Sequence, residues 1–358
     1  MMLLDRTIQP KVRDIEHLAV QMPQRFIMPN GVPLNILNSG DNEVVRIDLL
    51  IEGGRWHQSQ PLQALFTNRM LREGTLRYST LEIAEKLDYY GAWLELSSAS
   101  EYAYITLYSL NKYLPQTLDV LESIVKEPTF PEKELGVVAE NNIQQFIVNS
   151  SKAFGKGFQK PEKTDFVPVS SVDKRIFVEY ADVMQSAVRM GMLSLERCHP
   201  DYLKARVMVT LFGGYFGSRL MSNIREEKGY TYGISAGIAP YPGQGILVIN
   251  TETANEFVEP LVREVYHEID RLQNDPVPED ELFMVKNYML GEMCRSYESA
   301  FSLADAWMFV QVSGFGDTHF EDVLNTIKNI TPEEIRELAG RYLCKEKLKE
   351  VISGKKMS

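Results

Sequence analysis

Apolar and polar residues follow two different spacings along the chain, and the switches between them predict an alternation of strands and helices. Alternation at every second residue predicts β-strands, and apolar positions three or four residues apart predict helices with one buried face. The Asn30-Gly31 pair, between two alternating segments, is typical of a tight β-hairpin. The first half therefore predicts a hairpin over 25–38, strands over 44–52, 93–98 and 102–110, and helices over 61–71, 79–90, 114–125 and 131–148.

The second half repeats the same order of elements. A Pro-Glu-Lys-Glu-Leu segment starts at Pro131, and the related Pro-Glu-Asp-Glu-Leu starts 147 residues later, at Pro278. A chain of 358 residues is also longer than a typical single domain. We therefore predict an α+β fold of two tandem homologous α/β units, residues 1–170 and 171–358, each a mostly antiparallel sheet with helices packed on one side. The second half predicts strands over 176–180, 185–194, 230–237, 245–251 and 349–352, and helices over 201–211, 217–228, 256–272, 278–312, 317–327 and 332–343.

The first unit has a shorter ending than the second. After Pro278 the second copy adds two helices and a strand, whereas between about 151 and 165 the first copy has only a Gly/Lys-rich stretch without periodicity. Either the helix-helix-strand ending is absent from this unit, or the numbering omits a loop. The second explanation is favoured, because loss of a central strand would leave an open sheet edge.

Composition excludes several classes of partner. The net charge is −11 and the pI is near 5.2, whereas a nucleic-acid-binding protein needs clustered Lys and Arg. Three cysteines without CxxC spacing indicate neither a disulfide framework nor a thiolate metal site. The sequence contains no run of 18 apolar residues, which is the pattern that predicts a membrane-spanning helix. We expect a cytoplasmic protein, or a periplasmic one where a leader has been removed.

Residues 217–232 contain the most distinctive candidate chemistry. Helical spacing ends at Gly229 and strand alternation follows, so Arg225 and Tyr232 are directed from two elements towards one place. An arginine fork and a phenol hydroxyl that converge on a carbonyl would hold a peptide or stabilise an oxyanion. In the alternative interpretation, Arg225 pairs with Glu226 or Glu227 at the surface and Tyr232 lies in the core.

The amino-acid sequence of residues 217–232 resembles a known family signature. Gly217-Ser218-Arg219-Leu220, then Ile224-Arg225-Glu226-Glu227-Lys228-Gly229 and Tyr230-Thr231-Tyr232, are similar to the second domain of the insulinase/pitrilysin family of zinc metallopeptidases, which includes the mitochondrial processing peptidases. The resemblance covers nearly the whole chain. It implies a metalloendopeptidase-like half-clamshell built from duplicated α/β units. Further matches are the Asn30-Gly31 hairpin, Glu52-Gly53-Gly54, Glu73-Gly74-Thr75, Gly91-Ala92 and the closing segment from Lys349 to Gly354.

The zinc motif of that family is degenerate in this chain. Family members hold zinc with His-x-x-Glu-His on the first-domain helix before the Gly-Thr pair and with a Glu from a later helix. Alignment on Gly74-Thr75 places Leu65, Asn68 and Arg69 at the His, Glu and His positions. Leucine offers no lone pair, arginine is a permanent cation, and an asparagine amide is not a general base. The resemblance therefore implies no metal bound by this chain.

The resemblance also implies a role beside a partner. The later glutamate falls near Glu140 or Asn141, and one carboxylate does not make a zinc site. The first hypothesis is a noncatalytic, substrate-binding subunit, inactive alone, whose Arg225 and Tyr232 contact peptide at the zinc of a homologous partner chain. The alternative is a peptide-binding or scaffold homodimer without turnover. A third possibility, an active peptidase alone, requires an unrecognised metal site. The resemblance further implies that a peptide adds to the edge of the strand Leu94 to Ser98.

Overall fold

The computed structural model describes residues 20–40, 42–135, 138, 171–241 and 243–356. These residues divide into two compact units. The smaller unit lies within residues 40–166, and the larger unit combines residues within 1–39 with those within 167–358. The predicted helix over 131–148 is described only at its start, where residues 132–135 are helical, and the stretch between about 151 and 165 lies outside the described residues.

The described part of the smaller unit contains a three-stranded antiparallel sheet, and two of its helices share an apolar core with this sheet. Its strands are β3 (Val44–Glu52), β4 (Trp93–Ser98) and β5 (Tyr102–Leu110), in the order β3-β5-β4, so the central strand β5 pairs on both sides. Ile105 and Leu107 of β5 are fully buried against Ile83 and Ile124, which come from two different helices. The helices are α1 Gln63–Met70, α2 Thr80–Tyr89 and α3 Leu114–Lys126.

The larger unit contains a five-stranded sheet of order β6-β10-β7-β9-β8, in which only the β6–β10 pairing is parallel. Burial alternates along β7 and β9, so one face of the sheet packs against the helices. The strands are β6 Arg175–Glu179, β7 Gln185–Ser194, β8 Thr231–Tyr241, β9 Gln244–Ala254 and β10 Lys349–Gly354. The α-helices are α4 Tyr202–Val209, α5 Val258–Asn274, α6 Glu279–Arg295, α7 Ala300–Ser313, α8 His319–Asn329 and α9 Pro332–Tyr342. Two π-helical segments lie at Thr210–Gly214 and Met221–Glu227.

The repeated element order confirms the predicted fold class. The order β3-β5-β4 in the smaller unit matches the order β7-β9-β8 in the larger one, and in each case a helix follows the first of the three strands. One helix prediction is wrong: the segment 278–312 forms two helices, α6 and α7. The break occurs because the Ser299 hydroxyl accepts a hydrogen bond from the amide of Ser302 and starts a new helix.

The N-terminal hairpin belongs to the larger unit, whereas the sequence predicts it as part of a first unit of residues 1–170. Its strands are β1 Gln24–Ile27 and β2 Pro33–Ile36, with Gly31 in the left-handed region at φ +83°. Arg25 forms a bidentate ion pair with Asp317, and the indole of Trp307 donates to the carbonyl of Gln21 at 2.8 Å. These contacts attach the hairpin to residues almost 300 positions away.

Within the described part of the chain, none of the helices combines the length and the apolar composition that a membrane crossing requires.

Candidate functional site

The junction between the π-helix Met221–Glu227 and strand β8 forms the first candidate site. The helix ends where predicted, at Gly229, which adopts φ +67°. The amide of Tyr230 donates to the carbonyl of Ile224 at 3.0 Å across this glycine, a hydrogen bond typical of a glycine-terminated helix. Because glycine reverses the chain in one residue, the last helical turn and the first strand residues lie side by side.

Two polar residues of the same motif attach the π-helix segment to neighbouring helices. Arg219, just before the helix, is buried and forms a bidentate ion pair with Glu281 of α6, at 2.8 and 2.9 Å. The amide of Asn223 donates to Glu268 of α5 at 2.6 Å and to Glu264 at 3.0 Å. Leu220 and Ile224, on the same segment, are fully buried in the core of the unit. The position of the helix is therefore set independently of Arg225.

Arg225 is held between two groups on the surface of this junction. Its Nε donates to the backbone carbonyl of Tyr232 at 2.9 Å, and its guanidinium lies 4.7 Å from the ring centroid of Phe216. Its Nη1 also lies 3.8 Å from a carboxylate oxygen of Glu226, so the surface pair of the alternative interpretation is present. Glu227, in contrast, pairs with Lys228. The Nε bond and the ring fix the direction of the guanidinium.

Tyr232 points into solvent. Its relative exposure is 91%, so the alternative that places Tyr232 in the core is wrong. The cause is a β-bulge: the β8–β9 register shifts between Thr231 and Ile234, which leaves the carbonyl of Tyr232 available to Arg225 and turns its ring outward. The hydroxyls of Thr231 and Thr251 both donate to the carbonyl of Gly233 and stabilise the bulge.

A cavity of about 290 Å³ opens beside Tyr232 in the larger unit. Arg189 on β7 lines it and donates to the carbonyl of Thr251 at 2.9 Å. Neither Arg189 nor Phe216, which is 62% exposed, was identified from the sequence as part of a site. Strand alternation would have placed Arg189 opposite the buried positions Val188 and Met190.

The degenerate metal positions lie together on helix α1 of the smaller unit. Asn68 is only 3% exposed, its amide donates to the carbonyl of Tyr104 at 3.3 Å, and its side-chain oxygen has no hydrogen-bond partner among the described residues. Leu65 and Arg69 are partly buried. An inward-facing amide beside a leucine and a cation does not fit zinc. Glu140 and Asn141 lie outside the described residues.

Metal ligands are scarce in the rest of the described chain as well. No group of three or more His, Cys, Asp or Glu residues in the ranges that the structure describes is arranged to hold a metal ion. The edge strand β4, to which the resemblance assigns peptide binding, pairs with β5 alone among the described strands. Addition of a peptide to that edge stays a prediction.

Comparison with known proteins identifies the family. The model of the insulinase family, peptidase family M16, matches residues 36–153, and the model described as the peptidase M16 inactive domain matches residues 130–289. Together the two matches cover well over half of the chain and include the junction at Arg225 and Tyr232. The chain belongs to the insulinase (M16) family. Its resemblance to this family, stated from the motif residues, is confirmed.

Some relatives of this M16 chain are named zinc proteases, and one is named a probable inactive metalloprotease. An uncharacterized zinc protease of Rickettsia felis is 24% identical over 210 residues, which cover 57% of this chain and 49% of that protein. A probable inactive metalloprotease of Bacillus subtilis, YmfF, is 22% identical over 226 residues, 62% of this chain and 51% of the relative. The matched segment therefore spans about half the length of each of these two proteins.

The fold has solved counterparts. A crystal structure of a peptidase M16 inactive domain from Pseudomonas fluorescens superposes with a TM-score of 0.81 at 19% identity, covering 94% of this chain and 99% of that one. The M16 chain described here therefore shares the fold of that domain, and the match at residues 130–289 is to the inactive domain of the family.

Proposed function

We propose that this chain is the substrate-binding subunit of a zinc-dependent peptidase, and that it supplies Arg225 and Tyr232 to a peptide held at the zinc site of a homologous partner chain. Family membership and the unsuitable residues at the three metal positions support the noncatalytic half of this proposal. The partner chain supplies the metal chemistry, and no step of the reaction passes through a metal in this chain.

The observation that carries the proposal is the hydrogen bond from Arg225 Nε to the carbonyl of Tyr232. It orients the guanidinium, while the 91% exposed phenol of Tyr232 stays free for a ligand. If Tyr232 were buried, or if Arg225 contacted only neighbouring carboxylates, these residues would have a structural role. Instead, two hydrogen-bond donors stand at one surface on a rigid helix and a stabilised bulge.

The chemical role follows from the donor types. The Nη groups of Arg225 and the hydroxyl of Tyr232 donate hydrogen bonds, and a peptide carbonyl gains negative charge when it is attacked. Donors that are already oriented stabilise this charge without reorganisation. The cavity beside Tyr232, with Arg189 on its wall, provides space for an adjacent side chain of the peptide.

The test is reconstitution with a homologue that carries His-x-x-Glu-His, encoded in the same genome. Hydrolysis of a quenched fluorescent peptide library is measured while this chain is titrated into a fixed amount of zinc-loaded partner. We expect the rate to rise and to saturate at one chain per partner. A rate that does not change, together with a self-associated species in sedimentation, would instead favour the peptide-binding or scaffold homodimer.

A further inference from the structure

A second, larger cavity lies among the helices of the larger unit. Its volume is about 580 Å³, within the range of small-molecule sites. Helices α4, α6, α7 and α8 each contribute to its wall, and it shares no lining residue with the cavity beside Tyr232. A function of this cavity is therefore independent of the peptide site proposed above.

Aromatic rings form much of the wall. Tyr288 and Tyr297 come from α6 and the turn after it, Phe309 from α7 and Phe320 from α8. Tyr297 and Phe320 meet edge to face with their ring centroids 5.0 Å apart. Burial raises the pKa of Tyr297 to about 12, so its phenol is neutral at physiological pH. Such a wall favours an aromatic or aliphatic ligand body.

Arg206 supplies a positive charge to this wall. It lies on α4, is partly buried, and its guanidinium has no hydrogen bond or ion pair with any described residue. Burial lowers the pKa of His319, another lining residue, and the charge of Arg206 lowers it further, while Asp322 acts in the opposite direction. The guanidinium therefore lies close enough to the lining rings to act on them electrostatically.

Two carboxylates, Glu292 and Asp305, also line the cavity. Glu292 pairs with Arg295 at 2.7 Å and is 44% exposed at the side chain. Asp305 lies on α7. The partly buried guanidinium of Arg206 retains five N–H donors for a planar anion.

We propose that this cavity binds a small carboxylate with an aromatic or aliphatic body. The carboxylate accepts paired hydrogen bonds from the guanidinium of Arg206, and the apolar body packs against Tyr297, Phe309 and Phe320. Such a ligand fits the wall, because its carboxylate pairs with the charge of Arg206 and its apolar body packs against the lining rings.

Isothermal titration calorimetry with 4-phenylbutyrate and its neutral analogue 4-phenylbutan-1-ol tests this assignment. We expect the full chain to bind the carboxylate at least about tenfold more tightly than the alcohol, the scale of a hydrogen-bonded charge pair. Arg206→Met should abolish this preference. Arg295→Met is the matched control, because Arg295 is 73% exposed at its side chain and pairs with Glu292 beside the cavity; it should leave the preference in place.

NMR titration of His319 provides a second readout that does not depend on the variants. Bound carboxylate offsets the positive charge of Arg206, so saturating 4-phenylbutyrate should raise the pKa of His319, and 4-phenylbutan-1-ol should not. Thermal unfolding of each variant confirms that it is folded. Absence of carboxylate binding, equal affinity for acid and alcohol in the unaltered chain, or an unchanged preference in folded Arg206→Met would overturn the proposal.

Discussion

Arg219 and Arg225 lie six residues apart in one motif, yet their surroundings differ. Arg219 is 9% exposed and its bidentate pair with Glu281 joins two elements of the core. The side chain of Arg225 is 35% exposed and bonds a backbone carbonyl at the surface. The first arginine stabilises the fold, and the second is available to a ligand.

Alanine substitutions at these two positions should separate the two roles. Arg219→Ala leaves Glu281 with an uncompensated charge, so the free energy of unfolding should fall by about 3–5 kcal/mol. Arg225→Ala removes a partly exposed group and should cost less than about 1 kcal/mol. Urea denaturation followed by circular dichroism measures both. A loss for Arg225→Ala as large as that for Arg219→Ala would assign Arg225 to the fold and not to a site.

At the residue scale, the sequence predicts that Arg225 and Tyr232 lie close together. It does not predict the hydrogen bond from Arg225 Nε to the carbonyl of Tyr232. The pairing follows from a helix that ends at Gly229 and a strand that begins at once. The register shift after Thr231 and the position of Phe216 against the guanidinium depend on backbone geometry that side-chain spacing does not encode.

At the element scale, helix α9 is attached to α4 by hydrogen-bonded charges. Asp201, just before α4, accepts from the hydroxyl of Tyr342 at 2.6 Å and from Arg341 at 2.8 Å. The hydrogen bond from Tyr342, and then the charge of Arg341, lower the pKa of Asp201 below its ordinary value. The hydrogen bond from Lys204 likewise lowers the pKa of Glu334 on α9.

These depressed pKa values give the attachment a defined pH dependence. A folded-state pKa below the unfolded value of about 3.9 for Asp means that the unfolded state binds more protons as the pH falls. The stabilisation is therefore complete above about pH 5 and is lost on acidification. Tyr342→Phe should lower the free energy of unfolding by about 1–2 kcal/mol at pH 6 and by less at pH 3.

Urea midpoints at the two pH values measure this effect, with Tyr180→Phe, at a 55% exposed tyrosine, as the matched control. An equal loss at pH 6 and pH 3 would contradict the role of ionised Asp201. Helix α9 itself was predictable, because Thr331 and Glu334 form a capping box. The separation of α6 from α7 was not, because the apolar pattern runs through the break at Ser299.

At the scale of the whole molecule, Trp307 links the N-terminal segment to a helix near the end of the chain. This residue is 3% exposed, and its indole bonds a carbonyl 286 residues earlier in the sequence. Periodicity is a local signal, so it predicts the hairpin from Asn30-Gly31 but not the distant helices that the hairpin contacts. The repeated strand order, in contrast, was predictable, because each unit encodes it locally.

Trp307→Ala should lower the free energy of unfolding by about 3–5 kcal/mol, because a large buried ring and a hydrogen-bond donor are both lost. Trp93→Ala is the matched control: Trp93 is 66% exposed, and its removal should change stability by less than about 0.5 kcal/mol. Equal effects of the two substitutions on the urea midpoint would contradict the assignment of the hairpin contact to the core of the larger unit.

The most direct test of the proposed function is the peptidase rate of the reconstituted complex with single substitutions in this chain. Arg225→Ala and Tyr232→Phe should each lower kcat, by about 100-fold for the arginine, without weakening the affinity for the partner, because the lost donors act on developing charge. Arg336→Ala, at an exposed arginine of α9, and Tyr180→Phe should leave kcat unchanged. Equal rates for all four variants and the unaltered complex would contradict the role of Arg225 and Tyr232.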